Sequence, residues 1–201
     1  VSGMNEKTET ADQIAAGADI LLRKSDRTFI EAEVAASRGP GFTSTVSTDG
    51  GLTGTTETPS GRQNLTALAW RVKGEADLAE LTEDRIRGTV GAYVEERQGG
   101  FQTLAWNTSV DERIWGAHAT VELNRAFKVA AKYDEYSNAD GSLEREGKAS
   151  LTWLPAEGWK VAFGLGYVDL SNPLATVAGY NGERMDGGLR IEREFSDDFT
   201  A

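Results

Sequence analysis

The stretch Glu146-Gly147-Lys148-Ala149-Ser150-Leu151-Thr152-Trp153, continued after Leu154-Pro155-Ala156-Glu157-Gly158 by Trp159-Lys160-Val161-Ala162-Phe163-Gly164-Leu165-Gly166-Tyr167, decides the fold. Gly147, Ala149, Leu151 and Trp153 alternate with Lys148, Ser150 and Thr152. Trp159, Val161, Phe163, Leu165 and Tyr167 alternate with Lys160, Ala162, Gly164 and Gly166. Successive side chains of a strand point to opposite faces, so each run is a strand with one apolar and one polar or small face. Pro155 and Gly158 turn the chain between them, and the pair reads as a hairpin.

The same alternation extends in both directions. Strands are expected over 13–23, 28–38, 65–78, 86–95, 114–124, 127–136, 146–153, 159–167 and from Met185 to Glu192, with a tenth starting at Phe199. Leu68, Trp70 and Val72 oppose Ala69, Arg71 and Lys73; Trp115, Ala117 and Ala119 oppose Gly116, His118 and Thr120. The connections also alternate. Short polar turns follow the odd-numbered strands. Long loops follow the even ones, at Gly39 to Gln63, Glu96 to Glu112, Ser137 to Leu143 and Ser171 to Glu183. Short turns on one rim and long loops on the other, with strands of about 10 residues, are the pattern of a barrel that crosses a bilayer at a tilt. The expected fold class is all-β: an antiparallel up-and-down transmembrane β-barrel, with nine strands and the start of a tenth in view, as part of a larger barrel. Residues 1–12 read as a polar N-terminal segment without the basic and apolar regions of a signal peptide. Residues 13–201 read as barrel, and the strand starting at Phe199 leads to the expectation of a piece of a longer protein.

Composition agrees. The 201 residues carry a net charge of −11, which argues against a nucleic-acid partner. Cysteine is absent, which excludes disulfides and thiolate metal sites. There are 23 Gly, 5 Trp, 5 Tyr and 7 Phe; Gly-rich β-chains with Trp and Tyr suit barrels with aromatic girdles. Trp70, Trp115, Trp153, Trp159 and Tyr167 are therefore expected at the membrane interfaces. Glu31, Glu33, Arg71, Lys73, Glu75, Lys128, Lys132, Lys148, Arg190 and Glu192 fall on the opposite parity and are expected to face the lumen.

Phe29 to Ser37, and Trp153-Leu154-Pro155 followed by Trp159, resemble Gram-negative outer-membrane barrels, where an aromatic–x–Pro turn before an aromatic strand start is common at the periplasmic rim. With Gly88 to Tyr136, and Gly100-Phe101 in its loop, the chain is similar to the C-terminal barrel regions of large proteobacterial surface proteins. It departs from them in lacking the terminal aromatic that assembly machinery reads. The resemblance implies outer-membrane location and assembly from the periplasm, and it carries over no catalytic residue.

Chemistry-bearing motifs are few. His118 sits on the polar parity with no nucleophile or ligand set beside it in the sequence. Asn138-Ala139-Asp140-Gly141 holds part of a calcium-loop pattern and reads as a plain turn. Asp19, Glu31 and Glu33 could pair as carboxylates, but Arg71, Lys73, Arg87, Lys128, Lys132, Lys148 and Arg190 share their parity, and a mixed ion-pair lining is simpler. Gly164-x-Gly166 opens no helix, so a nucleotide loop is not expected. The expectation is a non-enzyme without cofactor or metal. It serves as an outer-membrane anchor or scaffold, with membrane lipid, other envelope proteins or further barrel segments as partners. A porin-like channel and a soluble antiparallel β binding module are the alternatives.

Overall fold

The structure is a computed structural model that describes residues 2–7, 12–39, 44–46, 55–57, 66–103, 108–174, 181–196 and 199–200. Its strands are β1 (Ser2–Lys7), β2 (Asp12–Arg23), β3 (Phe29–Arg38), β4 (Ser44–Val46), β5 (Thr55–Glu57), β6 (Thr66–Asp77), β7 (Arg87–Arg97), β8 (Glu112–Glu122), β9 (Phe127–Asn138), β10 (Leu143–Trp153), β11 (Trp159–Ser171), β12 (Gly182–Ser196) and β13 (Phe199–Thr200), with one short helix, α1 (Leu78–Thr82). The main sheet runs β1-β2-β3-β6-β7-β8-β9-β10-β11-β12-β13, each long strand beside its neighbour in sequence. This is the all-β, antiparallel up-and-down meander that outer-membrane β-barrels use. Among the described residues, β1 and β13 stand at its two edges.

Several expectations are corrected. Ser2–Lys7, read as a polar segment, is a strand paired with Asp12–Gly17. Ladder hydrogen bonds are made by backbone and need no side-chain alternation. Leu78 was read as the end of a strand, with no helix breaking the meander. The strand instead ends at Asp77, whose side chain accepts from the Ala79 amide at 2.9 Å and caps α1. Inside the loop from Gly39 to Gln63, Ser44–Val46 pairs with Thr55–Glu57, and the rest of that loop after Gly39 lies outside the described residues. Strands β9 to β12 run past the limits read from alternation, because polar or charged residues (Glu135 and Ser137, Arg145, Asp169, Glu183 and Arg193) enter the apolar parity there while the ladder continues. Residues 139–142 alone then join β9 to β10, so the third of the long loops is a tight turn.

The chain divides into two compact units. One comprises residues 1–21, 31–72 and 95–113; the other comprises 22–30, 73–94 and 114–201. In the first, the single hydrophobic cluster among the described residues joins Ala67, Ala69 and Phe101, with Ala35 against it. In the second, register orders the side chains into rows. Across β9 to β12, Tyr133, Gly147, Tyr167 and Met185 are partners. So are Ala131, Ala149, Leu165 and Gly187; then Val129, Leu151, Phe163 and Leu189; then Phe127, Trp153, Val161 and Ile191. These four consecutive rows on one face carry no charge. The intervening rows on the other face read Lys132, Lys148, Gly166 and Asp186; Ala130, Ser150, Gly164 and Gly188; Lys128, Thr152, Ala162 and Arg190. A one-residue slip would exchange the two faces, so this pattern fixes the register strongly.

Turns close the hairpins by local chemistry. Asn124 Oδ1 accepts from the amides of Ala126 and Phe127, at 2.8 and 3.0 Å. Ser25 Oγ accepts from Arg27 and Thr28, at 3.1 and 3.0 Å. Gly158 has φ 73° and its carbonyl accepts from Glu194 at 2.8 Å, a conformation that favours glycine.

Candidate functional site

The apolar face is the exposed one. Ile14, Ile20, Ile30, Val34, Leu68, Trp70 and Val72 are exposed on β2, β3 and β6, as are Phe163, Leu165, Leu189 and Ile191 on β11 and β12. Aromatics gather near the ends of this face in the second unit. Trp115 meets Tyr133 with ring centroids 5.1 Å apart, in the row that Tyr167 extends. At the other end Phe127 stacks on Trp153 at 6.2 Å, and the Arg193 guanidinium lies over Trp159 at 4.9 Å. Trp70 lies near the middle of β6, away from either end. Beyond the Tyr133 row the same face becomes charged: Arg145 pairs with Glu135 at 3.1 Å and with Asp169 at 3.5 Å.

The opposite face differs between the two units. In the first it is covered by the protein's own chain. The segment after β7 closes on itself, with Gly100 N–H donating to Thr108 O at 2.6 Å and Gly99 N–H donating to Asp111 Oδ1 at 2.7 Å. Phe101 is 4 % exposed, packed on Ala67 and Ala69, and the Gln102 amide donates to the buried Ser37 Oγ at 2.9 Å. Ion pairs lie on the same face. Arg71 holds Glu33 at 2.9 Å and Glu31 at 3.5 Å. Arg97, its side chain 7 % exposed, holds Glu95 at 2.5 Å and Glu112 at 3.4 Å. Phe101, Gln102 and Thr108 lie within the loop expected from Glu96 to Glu112, which carries no sequence signal of burial. The signal was in the strands beneath: Ala35, Ser37, Ala67 and Ala69 are small where the rest of their parity, Glu31, Glu33, Arg71 and Lys73, is long and charged.

Among the described residues of the second unit, nothing packs over this face as Phe101 does in the first. Lys132 pairs with Asp134 at 2.6 Å and Lys148 with Glu146 at 2.5 Å, yet their side chains are 55 % and 62 % exposed. Arg190 pairs with Glu192, which Lys160 also reaches at 3.2 Å. Lys128 shares a row with Arg190, and Lys73 lies over the Phe29 ring at 5.8 Å. Glu75 lies on β6, two residues from Lys73 and therefore on its face. The far edge of the His118 ring lies over Gly91, where a Cβ would stand 2.4 Å from its Cε1. Asp134 likewise lies over Gly116 and accepts from the Tyr93 hydroxyl at 2.6 Å. The Asn138 segment is a turn: its Oδ1 accepts from Asp140 and Ser142 amides, at 3.1 and 2.9 Å.

Outside the strands, α1 sits beside the turn at residues 24–28. Lys24 Nζ donates to the Glu80 carbonyl at 2.8 Å. The Ser25 hydroxyl, and after it that of Thr28, hold the Glu80 carboxyl below its ordinary value of 4.5.

No family model and no curated protein matches the sequence. Among solved structures, the chain is similar to OmpT (in-vitro folded), an outer membrane protein of Vibrio cholerae. The two are 15 % identical with a TM-score of 0.39, and the match covers 93 % of this chain and 61 % of that one. The chain thus spans less than two thirds of that protein's length.

Proposed function

We propose that this chain is the membrane-spanning part of an outer-membrane β-barrel, with its apolar face against lipid and its charged face lining a water-filled passage of porin-like type. One observation carries the reading: the apolar face is exposed in both units, while in the first the protein lays its own segment over the charged face. A soluble β-domain does the reverse, because burying apolar area supplies the driving force for folding. In lipid the exposed rows are the solvated ones, and the aromatic rows at Tyr133 and Trp153 sit where amphipathic rings anchor.

The half-exposed lysines of the second unit support an aqueous lining, and the segment around Phe101 would narrow the passage. In lipid the sheet edges, β1 on one side and two-residue β13 with the rest of β12 on the other, need hydrogen-bond partners, since unpaired N–H and C=O groups there cost several kcal/mol each. The reading assigns them to further barrel strands.

The anchor or scaffold role expected from the sequence keeps one support, the covered and ion-paired face of the first unit. Planar-bilayer recordings of the folded protein separate the two. Steady single-channel openings are expected; a protein that inserts, shifts on a gel when unboiled and never conducts is a scaffold.

A further inference from the structure

The charged face of the second unit holds a recess of about 690 Å³. Its floor is the row Ala130, Ser150, Gly164 and Gly188. Glycine weakens a strand, so it calls for a reason. At Gly91 and Gly166 the reason is packing: a Cβ at Gly166 would stand 2.7 Å from Asp186 Oδ1. At Gly164 and Gly188 packing gives none. A Cβ at Gly188 would meet nothing within 4 Å, one at Gly164 only the Ala149 carbonyl at 4.0 Å, and neither residue has a positive φ. What glycine provides at these two positions is empty space.

Above the floor, Lys132 and Lys148 are direct partners across the β9–β10 ladder. Like charges placed opposite one another destabilise a sheet. Their carboxylate partners, Asp134 and Glu146, lie one row further from the floor on the lysines' own strands. Asp186, paired with Arg184 at 3.6 Å, closes the far side of the recess. His118 and Thr120 add polar groups to its rim, and Ser150 adds a hydroxyl to its floor.

We propose that this recess is a binding subsite for a small solute bearing an oxyanion, phosphate or carboxylate, held between the ammonium groups of Lys132 and Lys148, with the hydroxyls of Ser150 and Thr120 as further donors. The subsite rests on the reading that this face meets water inside a barrel. The exposed lysine pairs with Asp134 and Glu146 are worth little in water, so an incoming anion displaces or shares them at small cost. Asp186 repels it and keeps it on the β9–β10 side.

The test is calorimetric titration of the detergent-folded protein with inorganic phosphate, repeated with acetate. Saturable binding with a Kd of about 1 mM is expected, at least tenfold weaker in the double variant Lys132→Gln/Lys148→Gln and unchanged within twofold in Lys160→Gln, a cation on the same face outside the recess. Gly188→Leu, which fills the floor without touching either lysine, is also expected to abolish it. Absence of saturable binding, or equal weakening by Lys160→Gln, overturns the proposal. Because calorimetry needs no current, conduction without phosphate binding leaves the passage standing and removes the subsite. Binding without conduction does the opposite.

Discussion

The two units treat the same sheet face in opposite ways. In the first, small residues at 35, 37, 67 and 69 admit Phe101 and Gln102, and the neighbouring cation Arg97 is shut away with Glu95 and Glu112. In the second, small residues at 130, 150, 164 and 188 admit no other segment among the described residues, and Lys132 and Lys148 remain half-exposed. Small side chains on a charged barrel wall therefore mark places where something docks. In one unit it is the protein's own chain; in the other we assign the space to a solute. Burial also sets what an ion pair is worth. Breaking a buried pair strands a charge, while breaking an exposed one costs almost nothing.

Four outcomes would sharpen or break this contrast. Arg97→Met should be the most damaging, lowering unfolding free energy by about 3–5 kcal/mol because Glu95 and Glu112 lose their buried cation; equilibrium urea unfolding of the detergent-folded protein measures it. Phe101→Ala should cost about 3 kcal/mol by the same assay and raise single-channel conductance as the covering segment loosens. By contrast, Lys148→Gln should change stability by less than about 1 kcal/mol, and a loss as large as that of Arg97→Met would erase the distinction between the units. The smallest effect lies at the turn rim. The Glu80 carboxyl is held below its ordinary value, so whatever it contributes is present above pH 4.5 and is lost as pH falls through its lower, folded value. Ser25→Ala should move the Glu80 titration seen by NMR upward toward 4.5, and an unmoved midpoint would remove the Ser25 hydroxyl as its cause.

Much of the fold was legible because apolar and polar residues follow a period of two along the strands. Leu151 next to Ser150, or Phe163 next to Gly164, announces both strand and register. Legibility ended where that period ended. Ser2–Lys7 lacks alternation but pairs through its backbone. Leu78 continues the apolar parity but is taken into α1 by the Asp77 cap. Past Tyr133 and Tyr167, Glu135, Arg145 and Asp169 occupy the apolar parity although the ladder runs on. Among the charged residues expected to face the lumen, Arg71 stands against Glu31 and Glu33, and Lys132 beside Lys148. Which of them would be buried was not legible, because that depends on the segment after β7. Its landing place shows only as four small residues on two separate strands, β3 and β6, which the meander sets side by side.

The central claim is that one parity meets lipid and the other water, and the absence of native cysteine makes it directly measurable. Single cysteines at Ser150 and Leu151, adjacent on β10, would be reacted with a membrane-impermeant maleimide on the protein folded into lipid vesicles. The account predicts that Ser150→Cys is labelled from water and Leu151→Cys is protected, with a fluorophore at 151 quenched by lipid-soluble quenchers. Equal labelling at both positions, or labelling at 151 with protection at 150, would contradict it.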